Sequence, residues 1–370
     1  MKARQLHSTL TADGTIRLTI DDVDLGDTLG ADEVIVRVEA TPVNPTDLFL
    51  LLSGADLSKA TASGGAVVAP VPAGIVSVFA GRIDKPLTVG SEGAGTVIAA
   101  GAGAAAQALL GKMVATNNGM FATHRRLPAG AVRPLPEGRT AEEGASSFVN
   151  PMTALSFVET MRAEKHAAIV HTAAASNLGQ MLVKICAADG VPLVNIVRRP
   201  AQVTQLRALG AQHVVDSSAP TFAADLVEAI AATGATLAFD AIGGGTIGTQ
   251  ILDAMERVAV RSMTTFSHYG SSTLKQLYVY GSLDRAPMTL VRTFGLTWSV
   301  SGYLVMNALR KLGPEVMMRM SGRVMRELTT TFASHYTARV GLEQLLDIGT
   351  LRACAQMATG EKFLITPTHA

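Results

Sequence analysis

Cysteine, charge and uninterrupted apolar runs are all scarce in this chain, and each scarcity removes a class of function. The two cysteines, Cys186 and Cys354, lie far apart, and neither C-x-x-C nor H-x-x-x-H spacing occurs. No structural zinc site is therefore expected, and both thiols read as small buried hydrophobes. Charged residues make up 16% of the chain, the net charge is +1, and no Lys/Arg run exceeds two residues. A nucleic-acid or anionic-membrane partner is not expected from that balance. The longest apolar stretch, "GGAVVAPVPAGIVSVFA" at 64–80, is broken by Pro70 and Pro72. It also falls short of the roughly 20 residues of a spanning helix. The opening "MKARQLHSTLTADG" lacks the apolar core of a signal peptide. A soluble cytoplasmic protein is the expectation.

What is present is apolar material enough for two domains: 370 residues, 48% of them hydrophobic. "ADEVIVRVE" at 31–39 alternates at period two, as a half-buried antiparallel strand does. Glycine-rich "VGSEGAGTVIAAG" (89–101) and the turns up to Pro136 continue this β character. The Gly/Ala/Pro/Ser-rich segment 53–88 has little periodicity and is too apolar for a linker, so it reads as a packed loop excursion. From about residue 150 the texture changes. Short apolar runs at 167–172, 192–197, 213–216 and 235–242 each precede a helical pattern, at 178–188, 201–209, 220–232 and 246–256, and 276–282 follows. That alternation predicts a parallel sheet covered on both faces, a doubly wound βαβ domain. Towards the end, "ELTTTFASHYTARV" reads as a strand, "GLEQLLDIGTLRACAQMATG" as helices and "EKFLITP" as a closing strand.

The first βα turn of that domain is "HTAAASNLGQ" at 171–180. A dinucleotide fingerprint places glycines at Ala174, Ser176 and Gly179, and only the last is there. Pyrophosphate binding needs backbone N–H groups at a helix N-terminus. Ala and Ser are small enough to allow approach, and Asn177 belongs to the residue types that tolerate left-handed backbone. The next strand decides. About 20 residues on, NAD enzymes present an acid to the ribose 2′-OH, whereas here stand Arg198 and Arg199. A guanidinium grips a 2′-phosphate bidentately. One such bond is worth about 1.5–3 kcal/mol, roughly 10- to 150-fold in affinity. The loop is therefore expected to bind NADPH.

With these residues in place, the chain resembles the medium-chain dehydrogenase/reductase superfamily. It is most similar to the zinc-free branch of NADPH:quinone oxidoreductases and 2-enoyl thioester reductases. The resemblance rests on "ADEVIVRVEATPVNPTDL" (31–48), "VGSEGAGTV" (89–97), "FVNPMTAL" (148–155), "HTAAASNLGQMLVKI" (171–185), "VNIVRRP" (194–200), "FDAIGGG" (239–245) and "GEKFLITP" (360–367). It implies an α/β fold: a β-rich GroES-like catalytic domain over 1–140 and 331–370, a Rossmann NADPH-binding domain over 141–330, and a substrate cleft between them. A homodimer is a further implication. In the zinc alcohol dehydrogenases of this superfamily, metal ligands stand where this chain has Asn44 and Ser91. Neither is a competent ligand, and Glu92 cannot hold the ion alone. No metal is expected. Without a Lewis acid, reduction of a quinone or a conjugated C=C is favoured over alcohol oxidation, because conjugation already spreads the developing charge.

The resemblance assigns Asn44 and Asp47 to the active-site segment. Asn44 is read either as a hydrogen-bond donor to a substrate carbonyl or as an Asx-turn before Pro45; Asp47 is read as holding the loop. Asn150 and Thr153 are placed facing the nicotinamide, with Thr153 also readable as a residue of a helix N-terminus. Ala174, Ser176, Asn177, Leu178 and Gly179 are assigned to the pyrophosphate, with Arg198 and Arg199 at the 2′-phosphate. Ile242 and Gly243 fall at the fourth strand end, and Tyr280 and Gly281 at the next, bordering the cofactor; Tyr280 also reads as a core residue with a satisfied hydroxyl. His171 reads as polar support for the loop, and His268 with Tyr269 as a roof over the pocket. The enoyl thioester reductases carry a tyrosine shortly after the N-P-x-D segment, and here none of the tyrosines (269, 278, 280, 303 and 336) stands there. The proton is then expected from water. The expected activity is hydride transfer from NADPH to a small quinone or enone. The alternative is a catalytically silent NADPH-binding redox sensor or partner-binding module. A ketone reductase would need another acid and is disfavoured.

Overall fold

Period-two burial builds the first part of the chain. In a computed structural model that describes residues 1–356 and 362–367, the strand Glu33–Pro42 pairs antiparallel with Glu92–Ala100 and His124–Pro128. It is more central than its alternation suggested: only Arg37 is exposed along it. Met113–Asn117 and Arg133–Pro134 extend the sheet on one side. On the other, Phe363–Ile365 returns to pair with Thr41 and Pro42 and carries Ala338–Val340 in parallel.

A second, five-stranded sheet contains Thr61–Ser63, Ala66–Pro70, Thr15–Asp24, Lys2–Leu10 and Leu87–Thr88 in that order. Three of its strands come from the segment 53–88, so that segment is not a loop excursion. Gly64 and Gly65, at φ 58° and 74°, form the two-residue turn between Ser63 and Ala66; such a hairpin needs positive φ at both places. Val67, Ala69 and Val71 then alternate inward onto Leu6, Leu10, Ile16 and Leu18. Arg82 staples the segment down. Its guanidinium donates to Leu50 O (2.9 Å), Ser53 Oγ (2.6 Å), Ser8 O (2.9 Å) and Ser8 Oγ (3.0 Å).

The stretch 327–340 also departs from its expected strand. Only Ala338–Val340 is extended. Leu328 and Phe332, both buried, sit four residues apart at helical spacing, and Thr330 and Phe332 turn back onto Glu327 O. The helical reading of 341–360 holds as Glu343–Leu346 and Ile348–Ala355; its last residues, 357–360, lie outside the described residues.

The remainder is a parallel sheet of six strands: His213–Asp216, Leu193–Val197, Ile169–His171, Leu237–Asp240, Lys275–Val279 and Trp298–Gly302, in that spatial order. Numbered along the chain this is 3-2-1-4-5-6, the doubly wound dinucleotide-binding order. Leu193–Val197 and Leu237–Asp240 are buried at every position, as strands covered on both faces must be. Helix Ile247–Arg261 lays Ile251, Leu252 and Met255 into the same core as Leu277, each side chain contributing about 1.5–3 kcal/mol by burial. By contact density the chain divides into two units, residues 1–149 with 324–370, and residues 150–323. Among the described residues no helix is long and apolar enough to cross a membrane.

Replacing Arg82 by Ala removes the side-chain donor to the Ser8 and Leu50 carbonyls and to the Ser53 hydroxyl. We expect Arg82→Ala to lower the unfolding free energy by about 1.5–3 kcal/mol and to open 53–88 to limited proteolysis; denaturant unfolding indistinguishable from wild type would contradict this.

Candidate functional site

In the parallel-sheet unit the site residues gather at the carboxyl ends of the strands. Helix Asn177–Asp189 starts where Ser176 accepts the Gly179 N–H in its hydroxyl (3.2 Å). Ala174 donates its N–H to Ile196 O at 3.1 Å, which ties the turn to the second strand. The glycine at 179 is required: a Cβ there would lie 2.1 Å from Ala174 O. The left-handed residue of the turn is Ala173, φ 50°. Asn177, expected to tolerate that conformation, is instead the first helical residue, because Ser176 already caps the helix. Ser176 and Asn177 keep solvent access, while Ala174, Leu178 and Gly179 are buried.

Arg198 and Arg199 follow the second strand and are both exposed. Arg199 precedes helix Pro200–Ala208. Neither guanidinium has an ion-pair partner among the described residues. Unpaired cations beside a helix N-terminus make an anion-attracting edge.

The third element of this edge is one that sequence reasoning passed over. Asp240, the last residue of the fourth strand, is fully buried. It accepts from Thr172 Oγ1 at 2.6 Å, Ile242 N at 2.9 Å and Gly243 N at 3.0 Å, while its own carbonyl accepts the Tyr280 N–H at 2.9 Å. First, fourth and fifth strand ends are thereby fastened together at the point where the strand order reverses. A Cβ on Gly243 would lie 2.5 Å from Gly281 O, and one on Gly281 2.5 Å from Ala241 O. Ile242, Gly243, Tyr280 and Gly281 are thus brought side by side. Helix Val149–Ala163 carries Asn150, Thr153 and Phe157 at i, i+3, i+7, one face. Phe157 stacks on Phe239 at 3.9 Å and meets the Tyr280 ring at 5.0 Å. His171 is fully buried, its Nε2 2.7 Å from the Tyr280 hydroxyl, and burial holds its pKa down to about 3. The His268 and Tyr269 rings lie 3.9 Å apart, tilted by 45°, with Tyr269 exposed, and among the described residues no hydrogen bond or ring contact joins them to this edge.

In the β-rich unit, helix Pro45–Leu52 is anchored by Asp47, which accepts from Asn44 N (2.9 Å), Ser91 N (2.7 Å) and Ser91 Oγ (2.6 Å). Asn44 Nδ2 donates to Glu92 Oε1 at 3.0 Å, and Glu92 Oε2 takes the Phe148 and Val149 N–H groups at 2.8 and 2.9 Å. One amide hydrogen read as available to a substrate carbonyl is thus already committed to Glu92. Asn44 is the N-cap of this helix, in a capping box with Asp47, although its buried Oδ1 makes no close hydrogen bond among the described residues. Glu92, fully enclosed, takes the amide because a buried carboxylate must be hydrogen-bonded. Burial raises the Glu92 pKa, opposed chiefly by the Lys362 charge. Lys362, which sequence reading did not single out, is buried, its Nζ without a hydrogen bond among the described residues and 5.9 Å from the Tyr336 ring centre; burial lowers its pKa. Among the described residues no group of three or more His, Cys, Asp or Glu is arranged to hold a metal.

Residues 30–137 match the alcohol dehydrogenase GroES-like domain. The 3-2-1-4-5-6 sheet follows that stretch in the chain, and the chain as a whole shares its fold with solved reductase structures. Among solved structures it superposes on a "putative NADPH:quinone reductase" from Mesorhizobium loti with a TM-score of 0.70 at 22% identity, covering 99% of this chain and 98% of that one. It superposes on an enoyl thioester reductase from Candida tropicalis, in a mutant form, with a TM-score of 0.69 at 20% identity over 99% and 100% of the two chains. By sequence it is 27% identical over 230 residues to the human synaptic vesicle membrane protein VAT-1 homolog, 61% of this chain and 55% of that protein. It is 25% identical over 194 residues to the mitochondrial enoyl-[acyl-carrier-protein] reductase of Bos taurus, 50% of this chain and 46% of that one. The chain spans about half the length of these curated relatives.

Burial pushes the Asp47 carboxyl up to about 6, outweighing the hydrogen bonds from Ser91 and Asn44. The folded chain then keeps a proton that the unfolded chain loses near the ordinary value of 3.8. That stabilisation is complete below the unfolded value and is lost as pH rises through about 6. Relative to Asp47→Asn, the wild type should lose up to about 3 kcal/mol of stability between pH about 4 and about 6. Denaturant unfolding of both proteins across that range checks it, and parallel pH curves would contradict it.

Proposed function

We propose that this chain is an oxidoreductase that uses NADPH to reduce a quinone or a conjugated C=C. The observation that carries the reading is the exposed, unpaired pair Arg198 and Arg199 at the second strand end, beside the helix that Ser176 caps. The residues suit a dinucleotide. Positions 174–176 carry nothing larger than Ala or Ser, and the turn presents the N-terminus of a 13-residue helix to the pyrophosphate. Arg198 and Arg199 would hold the 2′-phosphate. Ile242, Gly243, Tyr280 and Gly281 would border the nicotinamide, with Asn150 and Thr153 on the helix face of Phe157. Bound there, the reduced dinucleotide supplies the hydride, and the protein's part is orientation and exclusion of water. The names of the reductases noted above support the same class.

A zinc-independent reaction is part of the proposal. Ser91 donates to Asp47 and Asn44 to Glu92, so the residues at the superfamily's metal position bond to one another. A conjugated acceptor needs no metal to spread its charge. Dialysis against a strong chelator should leave turnover unchanged; activity that tracks stoichiometric zinc would overturn this part.

An acceptor panel of quinones and enones, scored by NADPH oxidation and product mass, tests the activity. Turnover supports it; tight NADPH binding with no turnover on any acceptor would favour the silent binding module. Replacing Arg198 and Arg199 together by Ala should narrow the preference for NADPH over NADH at least about tenfold, from the loss of a charge-assisted phosphate contact. An unchanged ratio of kcat/KM values would refute the arginines' role.

A further inference from the structure

Of the buried nitrogens without a hydrogen-bond partner among the described residues, one lies at a strand end of the parallel sheet. His171 ends the first parallel strand with no solvent exposure, packed against the rings of Phe157 (5.9 Å) and Tyr280 (5.8 Å, 13° between planes). Its Nε2 is 2.7 Å from the Tyr280 hydroxyl, and its Nδ1 is buried without any partner. Burial keeps the imidazole neutral, so it carries a single N–H. Were that hydrogen on Nδ1, an N–H would be sealed inside the protein with no acceptor, the rarer kind of orphan. On Nε2 it donates to the Tyr280 oxygen, and only a bare lone pair is left against the apolar rings. In that tautomer the Tyr280 O–H is not spent on His171. Its other polar neighbour does not take it either. The Asp240 carboxylate takes its hydrogen bonds from Thr172, Ile242 and Gly243, and none from the Tyr280 hydroxyl. Tyr280 keeps some exposure as a residue, with its hydroxyl turned to the buried His171 ring, and it stands at the carboxyl edge of the sheet directly after Lys275–Val279.

We propose that Tyr280, backed by His171, is the catalytic proton donor of this chain, taking the place of the tyrosine missing after the N-P-x-D segment. The proposal rests on the reductase reading above. Were NADPH held at this edge to supply a hydride to the β-carbon of an enone, the C=C electron pair would move towards the carbonyl oxygen. The Tyr280 O–H bond breaks and its proton joins that oxygen, giving an enol that rearranges to the ketone in water. The tyrosinate left behind keeps the hydrogen bond from His171 Nε2–H until water returns its proton. One hydride and one proton are consumed for each C=C reduced. Burial and the neighbouring Asp240 charge raise the hydroxyl's pKa well above its ordinary value, so the donor stays protonated at neutral pH between turnovers.

Two measurements on the full chain test this. In the ligand-free protein, ¹⁵N NMR of labelled histidine should show His171 protonated at Nε2 and bare at Nδ1; protonation at Nδ1 overturns the proposal whatever the enzyme's activity. With NADPH and cyclohex-2-enone, or whichever enone or quinone of the panel is turned over fastest, Tyr280→Phe should lower kcat about a hundredfold. The NADPH dissociation constant should stay within about twofold of wild type, which also reports that the variant is folded. His171→Gln, which can still offer an N–H, should retain more activity than His171→Leu. A Tyr280→Phe kcat within about threefold of wild type overturns this proposal alone. No turnover by the wild type on any acceptor overturns the reductase reading and this proposal with it.

Discussion

A single buried carboxylate organises the edge on which the functional account depends. Asp240 has no exposure, and it binds Thr172, Ile242 and Gly243 through its side chain and Tyr280 through its carbonyl. A carboxylate without partners in that position would be prohibitively unfavourable. With three donors converging on it, the same group fixes the geometry of three strand ends at once. The position is also where the strand order turns back on itself, and open α/β sheets bind ligands outside the carboxyl ends there. The turn at 173–179, the glycine pair 243 and 281, and the hydroxyl of Tyr280 all take their relative places from this clasp.

The β-rich unit uses the same device with different residues. Asp47 and Glu92 are both enclosed, and between them they accept from Asn44, Ser91, Phe148 and Val149. These residues are thereby joined in one hydrogen-bonded lattice. Two atoms in the lattice, Asn44 Oδ1 and Lys362 Nζ, have no hydrogen-bond partner among the described residues. Desolvation dominates the titration of all three ionisable members, raising Asp47 and Glu92 and lowering Lys362.

The parallel sheet was legible because its strands are continuous apolar runs and its helices follow at regular intervals. Gly179 was legible because close approach to Ala174 leaves room for no side chain. The arginine pair was legible from position alone, since strand ends meet solvent. The hairpin within 53–88 was missed, although Gly64-Gly65 is a direct turn signal: the strand after it has only five residues, and Ala and Pro dilute its alternation. The strand expected over 327–337 was read from β-branched residues, whereas burial there follows Leu328 and Phe332. Asp240, Lys362 and the His171–Tyr280 pair were invisible as a site for a different reason. Thr172 and Asp240 are 68 residues apart, His171 and Tyr280 109, and no local pattern encodes a partner at that distance.

The central claim is that this edge recognises the extra phosphate of a reduced dinucleotide. Titration calorimetry of the purified full chain with NADPH, and separately with NADH, addresses it most directly. The account predicts one NADPH per chain, bound more tightly than NADH, with the difference shrinking as salt is added. No detectable association with NADPH at millimolar concentration, or equal affinity for both dinucleotides, would contradict it.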